Sequence, residues 1–147
     1  MSLILVIDDD ESIRSVIKRV LEREGHSVTC AADGEQGLAA FRAASPDLVI
    51  TDIIMPEKEG IWTILQIRQA CAATRILAMS GGGSVIKDDV LHIARQLGAN
   101  ETLAKPFSGK ELIEKVRTIL AAAGGALIPK LPVCRQASIV FRSISAV

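Results

Sequence analysis

The segment LILVIDDDESIRSVIKRVLEREG, residues 3–25, decides the fold. Leu3 to Ile7 is an aliphatic run with no polar member, as a strand covered on both faces requires. Asp8, Asp9 and Asp10 end it at once. Ile13, Val16, Ile17, Val20 and Leu21 then recur at helical spacing, and Gly25 supplies a stop. A buried strand, an acidic turn and an amphipathic helix make one βα unit.

The rest of the chain repeats that unit. Val28 to Ala31 reads as a weaker strand, followed by a helix from Gly34 to Ala44 that turns Leu38 and Phe41 inward and ends before Pro46. Leu48 to Thr51 is the third strand. Gly60 opens a helix with Ile61, Ile64, Leu65 and Ile67 on its apolar side, and Ile76 to Met79 is the fourth strand. Gly81 to Gly83 form a loop, and residues 84–97 a helix carrying Val90, Leu91, Ala94 and Leu97, closed by Gly98. Thr102 to Ala104 is a short fifth strand. Ser108 caps a last helix bearing Leu112, Ile113, Val116, Ile119 and Leu120, with Glu111 placed for a capping box. Five βα units in succession predict an α/β fold, a doubly wound five-stranded parallel sheet with five helices and right-handed crossovers.

Composition agrees. The 147 residues suit one domain, and 49% hydrophobic with 23% charged residues excludes a disordered, collagen-like or coiled-coil chain. Aromatics are only 3% and tyrosine is absent, so stacking platforms for single-stranded nucleic acid are not expected. The zero net charge is a cancellation. Residues 1–121 hold 17 acids against 14 bases, and residues 122–147 hold three bases (Lys130, Arg135, Arg142) and no acid. Neither part is a broad cationic surface, so direct nucleic-acid binding is not expected. Cys30, Cys71 and Cys134 show no CxxC and no zinc-ligand spacing. The run Leu3–Ile7 lacks a cationic lead and is too short for a signal segment, and no run has the length of a membrane span. These features read as a cytoplasmic protein.

In a doubly wound sheet, ligands sit at the carboxyl ends of the strands. Here the exits carry Asp8, Asp9 and Asp10, then Asp52, then Ser80, then Lys105-Pro106. Asp10 suits a helix cap; one cap does not need three acids. If strands one and three are neighbours, Asp8, Asp9 and Asp52 converge and repel, and one lysine cannot neutralise them. A hard divalent cation, Mg2+, is the natural complement. A carboxylate nucleophile with a metal, a lysine and a hydroxyl suits phosphoryl transfer through an aspartyl-phosphate. There is no G-x-x-x-x-G-K-[ST] loop for a nucleotide.

These residues resemble a bacterial two-component response-regulator receiver domain of the chemotaxis-regulator, stand-alone type. The likeness runs through Val6-Ile-Asp8-Asp9-Asp10, Asp47-Leu-Val-Ile-Thr-Asp52-Ile-Ile-Met-Pro56 with Gly60, Met79-Ser80-Gly81, Gly98-Ala99 and Leu103-Ala-Lys105-Pro106-Phe107. It covers about residues 2–121, which makes residues 1–121 the receiver and 122–147 a C-terminal extension. The resemblance implies the flavodoxin-like strand order 2-1-3-4-5. It implies Asp52 as phosphoacceptor and Mg2+ held by Asp8, Asp9, Asp52 and the backbone carbonyl of Ile54, with Asp9 the direct ligand. Ser80 and Lys105 would contact the phosphoryl group, and Lys105–Pro106 would be cis.

The implied partners are a sensor histidine kinase or histidine phosphotransfer protein and a downstream protein target, with room for a dimer through the last helices. The chain would catalyse only its own phosphorylation and dephosphorylation. A phosphorylation-independent interaction module on the same fold is the alternative. It is motivated by Thr102, which stands where receivers commonly carry a switching aromatic. Trp62, off the apolar stripe, is either a packing residue or part of a partner surface. Residues 122–147, with Pro129, Pro132 and an apolar stretch from Ser138 to Ile144, add an edge strand, dock on a surface, or form an extension without structure of their own.

Receivers tune hydrolysis at the positions two beyond the phosphoacceptor and two beyond the hydroxyl, here Ile54 and Gly82. Neither offers a group to orient water. Phosphoryl loss from Asp52 is therefore expected to be slow compared with receivers that have polar residues there. The decay of the acid-labile phosphoprotein after donor removal measures it; rapid loss without a phosphatase would contradict it.

Overall fold

The computed structural model describes residues 2–53, 59–81 and 92–123. Five strands, β1 (Leu3–Ile7), β2 (Ser27–Ala31), β3 (Leu48–Asp52), β4 (Arg75–Ser80) and β5 (Glu101–Ala104), form one parallel sheet in the order β2-β1-β3-β4-β5. The helices are α1 (Glu11–Arg23), α2 (Gly34–Ala44), α3 (Glu59–Ala70), a helical segment over 92–96 (α4) and α5 (Gly109–Ala123). The expected fold class and strand order are those observed. Val90 and Leu91, expected on the fourth helix, lie outside the described residues, as do Ile54, Gly82 and the extension from 124.

Alternation along each strand divides the core into two layers. Leu5 and Ile7 of β1, Val49 of β3 and Ile76 and Ala78 of β4 pack with Leu38, Phe41, Ile64 and Ile67 of α2 and α3. Ile4, Val6, Leu48, Ile50, Leu77 and Met79 point the other way and meet Ile17 and Leu21 of α1 and Leu112, Val116 and Ile119 of α5. Truncating any one of these fully buried Leu or Ile side chains to Ala would cost about 2–5 kcal/mol. Two of the expected core residues are exposed. Val16 is 54% exposed and Leu65 40% exposed, because each stands at the margin of its helix's apolar stripe. Trp62, 46% exposed, lies beside Leu65 on the outer face of α3.

Polar side chains hold the ends. Asp10 caps α1, accepting from the Ser12 N–H at 2.9 Å, and Ser108 accepts from the Glu111 N–H at 3.1 Å, as their positions predicted. Two side chains hold the start of α2: Asp33 accepts from the Gln36 N–H at 2.7 Å, and Gln36 accepts from the Ala32 N–H at 3.2 Å. At the sheet's opposite end from the strand exits, Asp47 Oδ2 accepts from the Leu3 N–H while its own N–H donates to the Leu3 carbonyl, both at 2.8 Å. Half-buried Arg68, near the end of α3, donates to the carbonyls of Ala72, Thr74 and Gly98 and to Asn100 Oδ1. It thereby ties α3 to the α4–β5 turn. Beside it, Glu101 Oε2 accepts from Lys115 at 3.0 Å and from Arg95 at 3.2 Å, joining α4, β5 and α5. The Lys115 hydrogen bond holds the Glu101 carboxyl below its ordinary range, against a smaller opposing effect of burial.

The first turn of α3 lies directly on the end of β3. A Cβ at Gly60 would stand 2.3 Å from the Asp52 carbonyl and 2.4 Å from that of Ile53. Backbone cannot yield as a flexible side chain can. Gly60→Ala is therefore expected to lower the unfolding free energy by ~2 kcal/mol or more, as overpacking does. A urea midpoint unchanged from wild type would refute the close approach.

Candidate functional site

The strand order makes β1 and β3 neighbours, with Ile7 paired to Thr51, so their exits adjoin. Asp8 follows β1 and is fully buried; Asp52 is the last residue of β3 and 4% exposed; Asp9 is exposed. One carboxylate oxygen from each of Asp8, Asp9 and Asp52 lies within 4.8 Å of the others. Ser80 ends β4 and is fully buried, and its hydroxyl has no hydrogen-bond partner among the described residues. The Lys105 N–H donates to the Ser80 carbonyl at 2.8 Å, continuing the β4–β5 ladder to the site. The Lys105–Pro106 peptide is cis, as the resemblance implied.

The ammonium of Lys105 is the electrostatic centre. Its Nζ donates to Asp8 Oδ2 at 2.7 Å and to Asp52 Oδ2 at 3.0 Å. Burial on its own would favour the neutral amine; the hydrogen bonds and charges of the two carboxylates outweigh it and raise the Lys105 pKa above the ordinary lysine value. The lysine stem reaches across beside Gly81, where a Cβ would stand 3.0 Å from Lys105 Cδ. The carboxylate of Asp8 also accepts the Asp10 N–H at Oδ1, 2.9 Å away, so both its oxygens are engaged.

The structure thus brings Asp8, Asp9, Asp52, Ser80 and Lys105 together at one edge of the sheet. The backbone carbonyl of Ile54 lies outside the described residues. Three carboxylates against one ammonium leave net negative charge, and all the donors are oxygens. That set suits a hard divalent cation. The buried, unpartnered Ser80 hydroxyl suits a further polar group entering the pocket. Thr102 sits half-buried on β5, paired with Ala78, two positions before the Ser80–Ala104 pair.

Arg14 escaped notice in the sequence. Its Nη1 donates to the Asp8 carbonyl at 2.6 Å, so a second cation borders the acidic turn. The available signal was its place one turn beyond Asp10, on the end of α1 that faces the strand exits. His26 is partly buried, and its Nδ1 has no partner among the described residues. Burial first, then a nearby positive charge, lower its pKa against the opposing effect of Glu24.

Residues 4–117 match the response regulator receiver domain family. The chain is 41% identical over 120 residues to the transcriptional regulatory protein CpxR of Klebsiella pneumoniae, covering 82% of this chain and 50% of that one. It is 38% identical over 117 residues to the alkaline phosphatase synthesis transcriptional regulatory protein PhoP of Bacillus subtilis, covering 80% and 48%. The chain spans about half the length of these curated relatives. The crystal structure of a response regulator receiver domain protein from Clostridium thermocellum superposes with a TM-score of 0.77 at 30% identity, over 84% of this chain and 98% of that one. Among the described residues, no helix is long and apolar enough to cross a membrane.

Removing Lys105 would leave Asp8 buried without its counter-ion. Lys105→Met in metal-free buffer at neutral pH is expected to lose about 3 kcal/mol, within the range for breaking a buried pair. Because the folded-state pKa of Lys105 is raised, its contribution is complete below the ordinary lysine pKa and is lost as pH rises through the higher folded value. The gap between wild type and variant should therefore be constant near neutrality and narrow only in strong alkali. Urea midpoints across pH measure this, and a gap already narrowing near neutral pH would contradict it.

Proposed function

The chain belongs to the response-regulator receiver family, and we propose that Asp52 is its phosphoacceptor, taking a phosphoryl group from a histidine of a sensor kinase or a phosphotransfer protein. The observation that carries this reading is the buried Asp52 carboxylate, hydrogen-bonded to Lys105 at 3.0 Å beside the unpartnered hydroxyl of Ser80.

In the transfer, an Asp52 carboxylate oxygen bonds to phosphorus as the phosphorus–nitrogen bond of the donor histidine breaks, and the imidazole keeps the bonding electron pair. Asp8, Asp9, Asp52 and the Ile54 carbonyl are the residues that would hold Mg2+, with Asp9 the direct ligand. When bound, the metal neutralises charge on the phosphoryl oxygens. Lys105 exchanges its hydrogen bond to Asp52 for one to a phosphoryl oxygen while keeping Asp8, and Ser80 donates its free hydroxyl. Hydrolysis later returns the carboxylate, so the chain alters only itself. Residues 122–147 form the C-terminal extension to this receiver, and the setting is cytoplasmic.

The output is the binding of a downstream protein, controlled by the shift of Ser80 toward the phosphoryl group. Thr102 has no ring to follow that shift, so the signal passes along the chain after Ser80. Thr102 also favours a second reading, in which the pocket persists and binding does not depend on phosphorylation.

Acetyl phosphate with Mg2+ is expected to add one phosphoryl group to the wild type and none to Asp52→Asn, read by intact mass. Equal labelling of both would overturn the assignment. Amide NMR with beryllofluoride and Mg2+ divides the two readings: shifts spreading through residues 80–105 in the wild type alone indicate a switch, and shifts confined to the pocket indicate the static module.

A further inference from the structure

We infer that Arg14 is a positioning residue for the divalent-cation site: its guanidinium fixes the peptide that joins Asp8 to Asp9, and so aims the Asp9 carboxylate. The inference rests on the reading of Asp9 as the direct metal ligand. Arg14 is half-buried, one turn into α1, and its Nη1 donates to the Asp8 main-chain carbonyl at 2.6 Å. That carbonyl lies in the same planar unit as the Asp9 N–H, so holding the oxygen sets the plane from which the Asp9 Cα–Cβ bond departs.

The other holds on this turn act on its two flanks. The Asp8 N–H donates to the Ala31 carbonyl at 3.2 Å, the Asp10 N–H to Asp8 Oδ1 at 2.9 Å, and the Ser12 N–H to Asp10 Oδ1 at 2.9 Å. Asp8 is further fixed by Lys105 at 2.7 Å. Asp9 differs: it is the exposed member of the carboxylate triad, and among the described residues its carboxylate has no hydrogen bond or ion pair. With no side-chain partner, its direction is set by its backbone, and Arg14 holds that backbone on the N-terminal side. Groups of this kind behind a metal ligand are typically worth ~10–100-fold in metal affinity.

A bare charge effect has the opposite sign. A guanidinium beside a cation site repels the metal, so deleting it for its charge alone would tighten binding. The sign of the change therefore separates aiming from electrostatics.

The test is titration of the metal-free full chain with MgCl2, followed by the amide shifts of residues 8–10 and by calorimetry. Arg14→Ala is expected to weaken Mg2+ binding about tenfold, with Arg14→Lys recovering most of the loss because it keeps a donor. In an Asp9→Asn background the same substitution should have no further effect. Urea midpoints show which variants fold. If Arg14→Ala does not, Arg14→Met, of similar length without a donor, is expected to show the same loss. Binding that is unchanged or tighter in the Arg14 variant overturns the inference, and so does an undiminished effect in the Asp9→Asn background. A wild type that binds no Mg2+ overturns it together with the metal reading, an outcome distinct from equal binding by wild type and variant.

Discussion

A carboxylate without exposure, placed where a five-residue aliphatic strand ends, is the constraint the rest of the molecule answers. Asp8 is buried at the end of β1, and a buried charge needs a counter-ion close enough to offset its lost hydration. That counter-ion is Lys105, 97 positions later in the sequence. Its ammonium arrives only because β5 has docked on β4 and because Gly81 leaves room for the stem. Asp52 enters the same hydrogen-bond set from β3, and Ser80 stands between the two sources of charge. The sheet order, the small residue at the β4 exit and the closeness of α3 to the end of β3 all serve one pocket a few ångströms across.

The two ends of the sheet are built differently. At the far end, Asp47, Arg68 and Glu101 bind backbone and side chains of neighbouring elements to each other. These contacts fix β1 to β3, α3 to the α4–β5 turn, and α4 to α5. At the exit end, the bonds converge on one ammonium and on Asp8. The scaffold is thus held from below while the pocket is left as a small set of exchangeable polar contacts. Such a division suits a site that must admit and release a charged group without loosening the fold.

Most of the fold was legible because β1, β3 and β4 are nearly pure aliphatic runs and because a polar residue marks the exit of each of these strands and of β5. Leu3 to Ile7 and Leu48 to Ile50 could be nothing but buried strands, and Asp8, Asp52, Ser80 and Lys105 marked their exits. The helix margins were less legible. Val16 and Leu65 satisfy the 3.6-residue period, but whether a marginal position is covered depends on the neighbouring element, which periodicity does not contain. Arg14 was illegible for a related reason. A basic residue in the first turns of a helix reads as solvated surface, and only the fold of the β1–α1 turn shows that its guanidinium meets the Asp8 carbonyl. Arg68 is the same case at the other end, a cation whose partners are carbonyls and an amide brought together by tertiary structure alone.

The long sequence separation between Asp8 and Lys105 has a consequence for assembly. Each strand pairing joins segments that are distant in the chain, and parallel pairing of this kind closes slowly. Without β5 in place, the sheet carries three acids at one edge with no lysine among them, and water must keep that edge hydrated. Docking of β5 replaces the water with an ammonium. The pocket therefore has its ammonium only in a sheet that includes β5, and the charged residue that equips the site also serves as the molecule's mark of completion.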